Sequence, residues 1–180
     1  MTEGIDLKAL LAMAHSPLRN YIIPGLTSSL IGNPSLAGTI RLFESEREHQ
    51  ETVVPHSHRF DFQCWVLAGA VTNRIWTKGW DGDREADWYA ATELRYAGAP
   101  GEYARGEVFD ARWTYRDTTY AANDWYRMKA DAVHSIRFGR GAKVLFFEGP
   151  TISETSIILE PMVDGRVIET MKIEPWMFKR

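Results

Sequence analysis

The stretch Pro55-His56-Ser57-His58-Arg59-Phe60-Asp61-Phe62-Gln63-Cys64-Trp65-Val66-Leu67-Ala68-Gly69 decides how the chain reads. In an extended strand, residues two apart point to one face. His56 and His58 therefore present two imidazoles side by side, which is half of a metal site built on a strand. Continued alternation puts Phe60, Phe62 and Cys64 on the histidine face and Asp61, Gln63 and Trp65 on the other. Gly69 ends the run at a turn or bulge. A third histidine, His134, has a similar setting in Ala132-Val133-His134-Ser135-Ile136-Arg137-Phe138. Two local donors and one distant one, all in strand-like sequence, point to a metal before they point to any reaction. The competing reading is a pocket whose histidines are hydrogen-bonded core groups, as buried polar side chains must be.

The rest of the chain supplies the frame. Its 180 residues suit one domain, long enough to bury a core without staples. A net charge of −3 leaves no basic footprint, so nucleic acid is not an expected partner. The single cysteine excludes an internal disulfide framework and fits a reducing compartment. Met1-Thr2-Glu3-Gly4-Ile5-Asp6 lacks the positive start and apolar run of a secretory signal, and no run is long enough to span a bilayer. The expectation is a soluble, cytoplasmic protein with no membrane partner. Seven Trp, seven Tyr and eight Phe suit a β-rich interior or a lined pocket.

In chain order, Asp6 can cap a short helix whose Leu7, Leu10, Leu11 and Ala14 keep the i, i+3, i+4, i+7 rhythm. Pro17 ends it. Residues 21–38, with Pro24, Gly25, Gly32, Pro34 and Gly38, read as irregular chain. Gly38 to Phe43 is the first clear strand, and the charged run to His49 after it is a solvated loop, with His49 on the surface. Val53 to Phe60 and Phe62 to Trp76 read as consecutive strands. Residues 77–106, rich in glycine around Trp80, Trp88, Tyr89 and Tyr96, read as an insertion: a lid or a surface excursion. Strand signals return at Val108-Phe109, Trp113–Tyr115, Asp124–Met128, His134–Phe138 and Lys143–Phe147, with a turn at Gly139-Arg140-Gly141. Ile157–Leu159 and Val167–Met171 face each other across Asp164-Gly165, a strong hairpin dipeptide. The division is an N-terminal helix and arm over 1–37, barrel strands over 38–76 and 107–171, and the insertion between. Many short strands with Gly- and Pro-rich turns indicate an all-β barrel or sandwich.

On these residues the chain resembles the cupin family, whose fold is a small jelly-roll β-barrel. His56, His58 and Gly69 match the family's first motif and His134 the histidine of its second, over roughly residues 38–150. The family's acidic ligand would fall at Phe62 or Gln63, and neither is a carboxylate; Asp61 is out of phase with the histidines. The implied ligand set is three histidines, with Gln63 or Asp61 as candidates for a fourth ligand or for a residue supporting the site. Three-histidine cupins include the thiol dioxygenases, but Cys64 does not stand at their cysteine's spacing and no tyrosine follows His134.

Neutral imidazoles suit Fe(II), Zn, Ni or Cu, whereas Mg and Ca want oxygen ligands. Three protein ligands leave open positions, the mark of a catalytic rather than a structural site. The resemblance favours one Fe(II) per chain and a dioxygenase, and a site without a carboxylate is more positive, which favours a small anionic metabolite. The alternatives are a non-oxidative lyase or isomerase, and a cupin that binds a ligand or metal without catalysis. Arg41, Arg74 and Tyr126 are candidates for substrate binding, because an arginine in a pocket grips a carboxylate bidentately. Arg59 has a similar place beside a strand. Cys64 reads as a small buried hydrophobe near the site. Pairing of barrels through strand edges makes a homodimer an expectation of the resemblance.

Overall fold

The computed structural model describes residues 7–32, 39–49, 54–80, 86–96 and 103–167. Among these residues a helix, α1 (Leu7–Ala12), precedes twelve strands: β1 (Ala14–Arg19), β2 (Leu26–Ile31), β3 (Ile40–Ser45), β4 (Phe60–Ala68), β5 (Ala70–Lys78), β6 (Asp87–Tyr96), β7 (Tyr103–Ala121), β8 (Trp125–Met128), β9 (Val133–Phe138), β10 (Lys143–Thr151), β11 (Thr155–Val163) and β12 (Arg166–Val167). They form two antiparallel six-stranded sheets, ordered β1-β2-β3-β10-β4-β8 and β12-β11-β6-β7-β5-β9. Late strands lie between early ones, the interleaving of a jelly roll, and the result is a sandwich rather than a closed barrel.

Period-two burial explains how the sheets meet. Along β4, Phe62, Cys64 and Val66 are buried, and they pack with Leu26, Val71, Tyr126, Met128, Phe138 and Val144 between the sheets. A second cluster, Trp76, Ala91, Trp113, Val133 and Leu159, fills the other end. The outer face of the first sheet is also covered: Ile31, Leu42 and Leu145 lie under Leu7, Leu10 and Leu11 of α1. A fully buried leucine contributes about 1.5–3 kcal/mol; these helix leucines are half-buried and contribute less. Covering that face lets β3 place Leu42 outward under the helix while Arg41 and Phe43 line a cavity between the sheets.

Turns fix the register. Gly69 joins β4 to β5 at φ +64°, and a Cβ there would lie 2.9 Å from the Ala142 Cα, so both conformation and space require glycine. Asp164 (φ 51°) and Gly165 (φ 71°) make the tight hairpin turn between β11 and β12, with Met162 opposite Val167. The remainder of that second strand, residues 168–171, lies outside the described residues, as do Asp6, Pro34, Gly38, Val53 and the turn residues at 81–83, 98 and 100–101.

Three expectations are corrected. Residues 14–31, read largely as an irregular arm, hold β1 and β2. Ser28 and Ser29 interrupt the apolar pattern, yet both are buried in β2, which pairs with β3 over its whole length. Pro17 sits in β1 at a register slip on a sheet edge, the position a strand proline tolerates. Residues 87–96, inside the stretch read as an insertion, form β6, which is paired on both sides by β7 and β11. Its Ala90 and Ala91 carry little strand propensity and are wholly buried, so partner strands decide the conformation. Finally, the run to Phe60 is not a regular strand: before Phe60, His56 alone pairs, through isolated bridges to His134 and Ile158. No helix among the described residues is long and apolar enough to cross a membrane.

Candidate metal centre

Backbone bonds carry the first two histidines to the third. His56 N donates to the His134 carbonyl and His134 N to the His56 carbonyl, both at 2.9 Å. His58 N donates to the Ala130 carbonyl, and Ser57 N to that of Ile157, while the buried Ser57 Oγ accepts from Ile157 N at 2.8 Å. The segment is thus stitched to β9 on one side and β11 on the other, with the Ser57 hydroxyl engaged by Ile157 and both imidazoles in the cavity wall. Ring centroids are 4.7 Å apart for His56–His58 and 5.1 Å for each of the other pairs, a near-equilateral triangle.

Hydrogen bonds assign the tautomers. His134 Nδ1 lies 3.1 Å from Oδ1 of Asn73, a wholly buried side chain, and donates to it. His56 Nδ1 donates to the Val54 carbonyl at 2.9 Å. Each donation leaves a lone pair on Nε2. His134 Nε2 faces His58 Nε2 at 2.9 Å. A proton on His58 satisfies that pair, but among the described residues His56 Nε2 makes no hydrogen bond. A cation satisfies all three imidazoles at once. Their donor atoms lie within 4.8 Å of one another. Nitrogens about 2.1 Å from one ion in tetrahedral geometry lie ~3.4 Å apart, so the His58–His134 pair is already close enough and the widest pair must close by up to about 1.4 Å to share an ion. The residues fit a divalent metal.

Charge agrees with geometry. Burial holds the His56 imidazolium below its usual range, although the bond to Val54 opposes this. Burial, and then the neighbouring imidazoles, hold His58 and His134 well below it. All three imidazoles are neutral at neutral pH, the form that can bind a metal.

The cluster opens on a cavity of about 220 Å³ whose wall includes Phe60, Phe62 and Cys64, the three residues that alternation put on the histidine face. Asp61 and Gln63 fall on the opposite face of β4 and do not line it. Asp61 accepts from Lys129 Nζ at 2.7 Å and from Ala130 N at 2.9 Å, and Gln63 sits between Arg127 and Phe147 in the sheet. Neither reaches the histidines, because one step along a strand reverses a side chain. Arg74 is likewise elsewhere, paired with Asp117 and stacked on Tyr115. Arg41 and Tyr126 do line the cavity. Burial pushes the Cys64 thiol up to about 12, so it stays neutral beside Tyr126. Burial, and then the Cys64 thiol, push the Tyr126 phenol well above its usual range. Asn73, Tyr21 and Glu148 escape the sequence reading, and Tyr96 appears there only as an aromatic of the stretch read as an insertion. Tyr21 and Asn73 look like ordinary loop and strand residues, and only the fold shows what they face.

No protein-family model matches the chain, and no curated protein matches it in sequence. Solved structures are similar at low identity. The hydroxypropylphosphonic acid epoxidase from S. wedmorenis is 9% identical, with 74% of this chain and 54% of that one covered and a TM-score of 0.44. Streptomyces albus HEPD with 2-hydroxyethylphosphonate and Fe(II) bound is 12% identical, with 78% and 25% covered and a TM-score of 0.47. Drosophila melanogaster CENP-C bound to CAL1 is 8% identical, with 77% and 86% covered and a TM-score of 0.40. The chain spans about half the length of the epoxidase and a quarter of HEPD. Fold does not carry function across such distances. Two antiparallel sheets in jelly-roll order around three convergent histidines are what the resemblance to the cupins implies, and this chain has both.

Proposed function

We propose that the chain is a metal-dependent cupin that binds one divalent ion, Fe(II) by preference, through His56, His58 and His134, and acts as a dioxygenase on a small anionic metabolite. The observation that carries this reading is the convergence of three neutral imidazoles, with tautomers set by Asn73 and Val54, on a cavity walled by aromatics. A ferrous ion would supply open positions for substrate and dioxygen together. The chain's own residues do the rest. Phe60 and Phe62 pack against His58 at ring distances of 5.3 and 4.8 Å and exclude water from the ligand side. His134 is held by its Nδ1–H bond and cannot turn away. With no carboxylate among the ligands, the charge of a divalent ion is uncompensated by its first neighbours, which favours an anionic substrate.

The test is oxygen uptake by Fe(II)-loaded protein over a panel of small carboxylates and thiols, with product identified. Uptake coupled to substrate loss, and abolished in His134→Ala, is the expected result. Turnover without oxygen moves the chemistry to a lyase or isomerase. Tight binding with no product makes the chain a binding cupin.

A further inference from the structure

The cavity has a second polar end. Arg41, Arg59, Glu148, Tyr21 and Tyr96 all contribute to its wall. Tyr21 lies near three of the others: its phenol feels the charges of Arg41 and Glu148 and is close to Tyr96. The Arg41 guanidinium is 5.8 Å from the Tyr21 ring centroid, and that of Arg59 lies 3.2 Å over the Tyr96 ring. Aromatic rings separate this end from the histidines. Successive centroid distances are 5.5 Å from His134 to Phe62, 4.9 Å to Phe146, 5.8 Å to Phe43 and 5.9 Å to Tyr21.

The two arginines are under-used. Arg41 is 8% exposed and, among the described residues, donates one long bond, 3.3 Å to Ser28 Oγ, from five N–H groups. Arg59 Nε is buried without a hydrogen-bond partner. Stacking on Tyr96 occupies the face of its guanidinium and leaves the in-plane donors for something else. Among the described residues neither arginine makes an ion pair. A buried donor without an acceptor, as at Arg59 Nε, is costly, and a charge-assisted acceptor relieves that cost. Among the described wall residues, two guanidiniums stand against one carboxylate, that of Glu148, an excess of one positive charge that matches a monoanion.

We propose that Arg41 and Arg59 form a carboxylate-binding subsite, so that the substrate is a short organic acid: a carboxylate at this end, an apolar middle along Phe43, Phe60, Phe62 and Phe146, and a metal-binding group at the histidine end. This rests on the metal-centre reading for the far end only; the subsite itself needs no ion. The cavity is smaller than the roughly 300–1,000 Å³ that drug-sized ligands take, which limits the acid to a small one.

The test compares binding of 3-phenylpropionate, its neutral amide and the corresponding phosphonate by calorimetry. The protein is the full chain, loaded with redox-inert Zn(II) and after chelation, with metal content measured in every sample. The expected result is a carboxylate preference over the amide of about 10- to 100-fold. That preference should survive chelation and be lost in Arg59→Gln and in Arg41→Gln, with circular dichroism and metal content unchanged. Should buried Arg41→Gln fail to fold, Arg59→Gln alone carries the test. A preference that disappears on chelation but persists in Arg59→Gln puts the carboxylate on the metal and overturns the subsite while keeping the centre. Equal binding of acid and amide, tighter binding of the phosphonate, or no binding of any of the three overturns it as well. Absence of metal in wild type, with the carboxylate preference intact, overturns the centre and keeps the subsite.

Discussion

Asn73 shows how much a single side chain decides. It has no surface exposure, and its Oδ1 holds the His134 Nδ1–H, so His134 must offer Nε2 to the cluster. Residues that orient metal-binding histidines in this way typically carry 10- to 100-fold in affinity. Asn73→Leu should therefore weaken Zn(II) binding by about that factor in a competition titration with a fluorescent chelator, whereas Asn73→Asp, which still accepts, should not. Equal affinity of the leucine variant and wild type would remove Asn73 from the site. Gly69 is the structural counterpart. Gly69→Ala must place a Cβ 2.9 Å from the Ala142 backbone while holding φ at +64°, and the left-handed conformation alone costs about 1–2 kcal/mol for a residue with a Cβ. Urea denaturation should show a loss of at least that size.

At the level of strands, the outer face of the second sheet is held by charges across three neighbours. Asp117 on β7 accepts from Arg74 of β5 in two bonds, at 2.8 and 3.0 Å, and from Arg137 of β9. The Arg74 hydrogen bond is the chief reason that its carboxyl stays below the usual carboxylate range. A folded pKa below the unfolded one means that the unfolded chain takes up the proton first as pH falls. The stability this group contributes is present above about pH 4, the unfolded value, and is lost as pH falls through the folded value. Asp117→Asn should thus be less stable than wild type at pH 7, by up to about 1 kcal/mol for a partly exposed pair. The gap should close below pH 4 in urea midpoints taken across the range. A gap that stays constant with pH would mean that the carboxylate contributes nothing through its charge. The same strands show where sequence reading stops. β4, the start of β5, and β9 were legible because Val, Phe, Trp and Cys alternate with polar residues along them. β6 was not, because Ala90, Ala91 and Thr92 become strand through burial between β7 and β11. β2 hid behind two serines for a similar reason.

For the molecule as a whole, the sequence made three histidines legible as one cluster and could not show what surrounds it. His56 and His58 are two residues apart, so extended backbone alone puts them together. His134 joins them through backbone pairing with His56 itself, a long-range contact that only the fold supplies. The arginines were ambiguous for want of a phase. Arg74 lies one residue past Asn73 on β5 and so points outward, while Arg41 lies two residues before Phe43 and points in. The function of the site therefore turns on whether the histidine triangle holds an ion. Elemental analysis of protein purified without added metal, and again after anaerobic loading with Fe(II), beside a His56→Ala/His134→Ala variant of equal helix and sheet content, tests this most directly. The expected result is close to one iron per chain in loaded wild type and essentially none in the variant. An equal metal content in both, or none in wild type even after loading, would contradict a three-histidine centre.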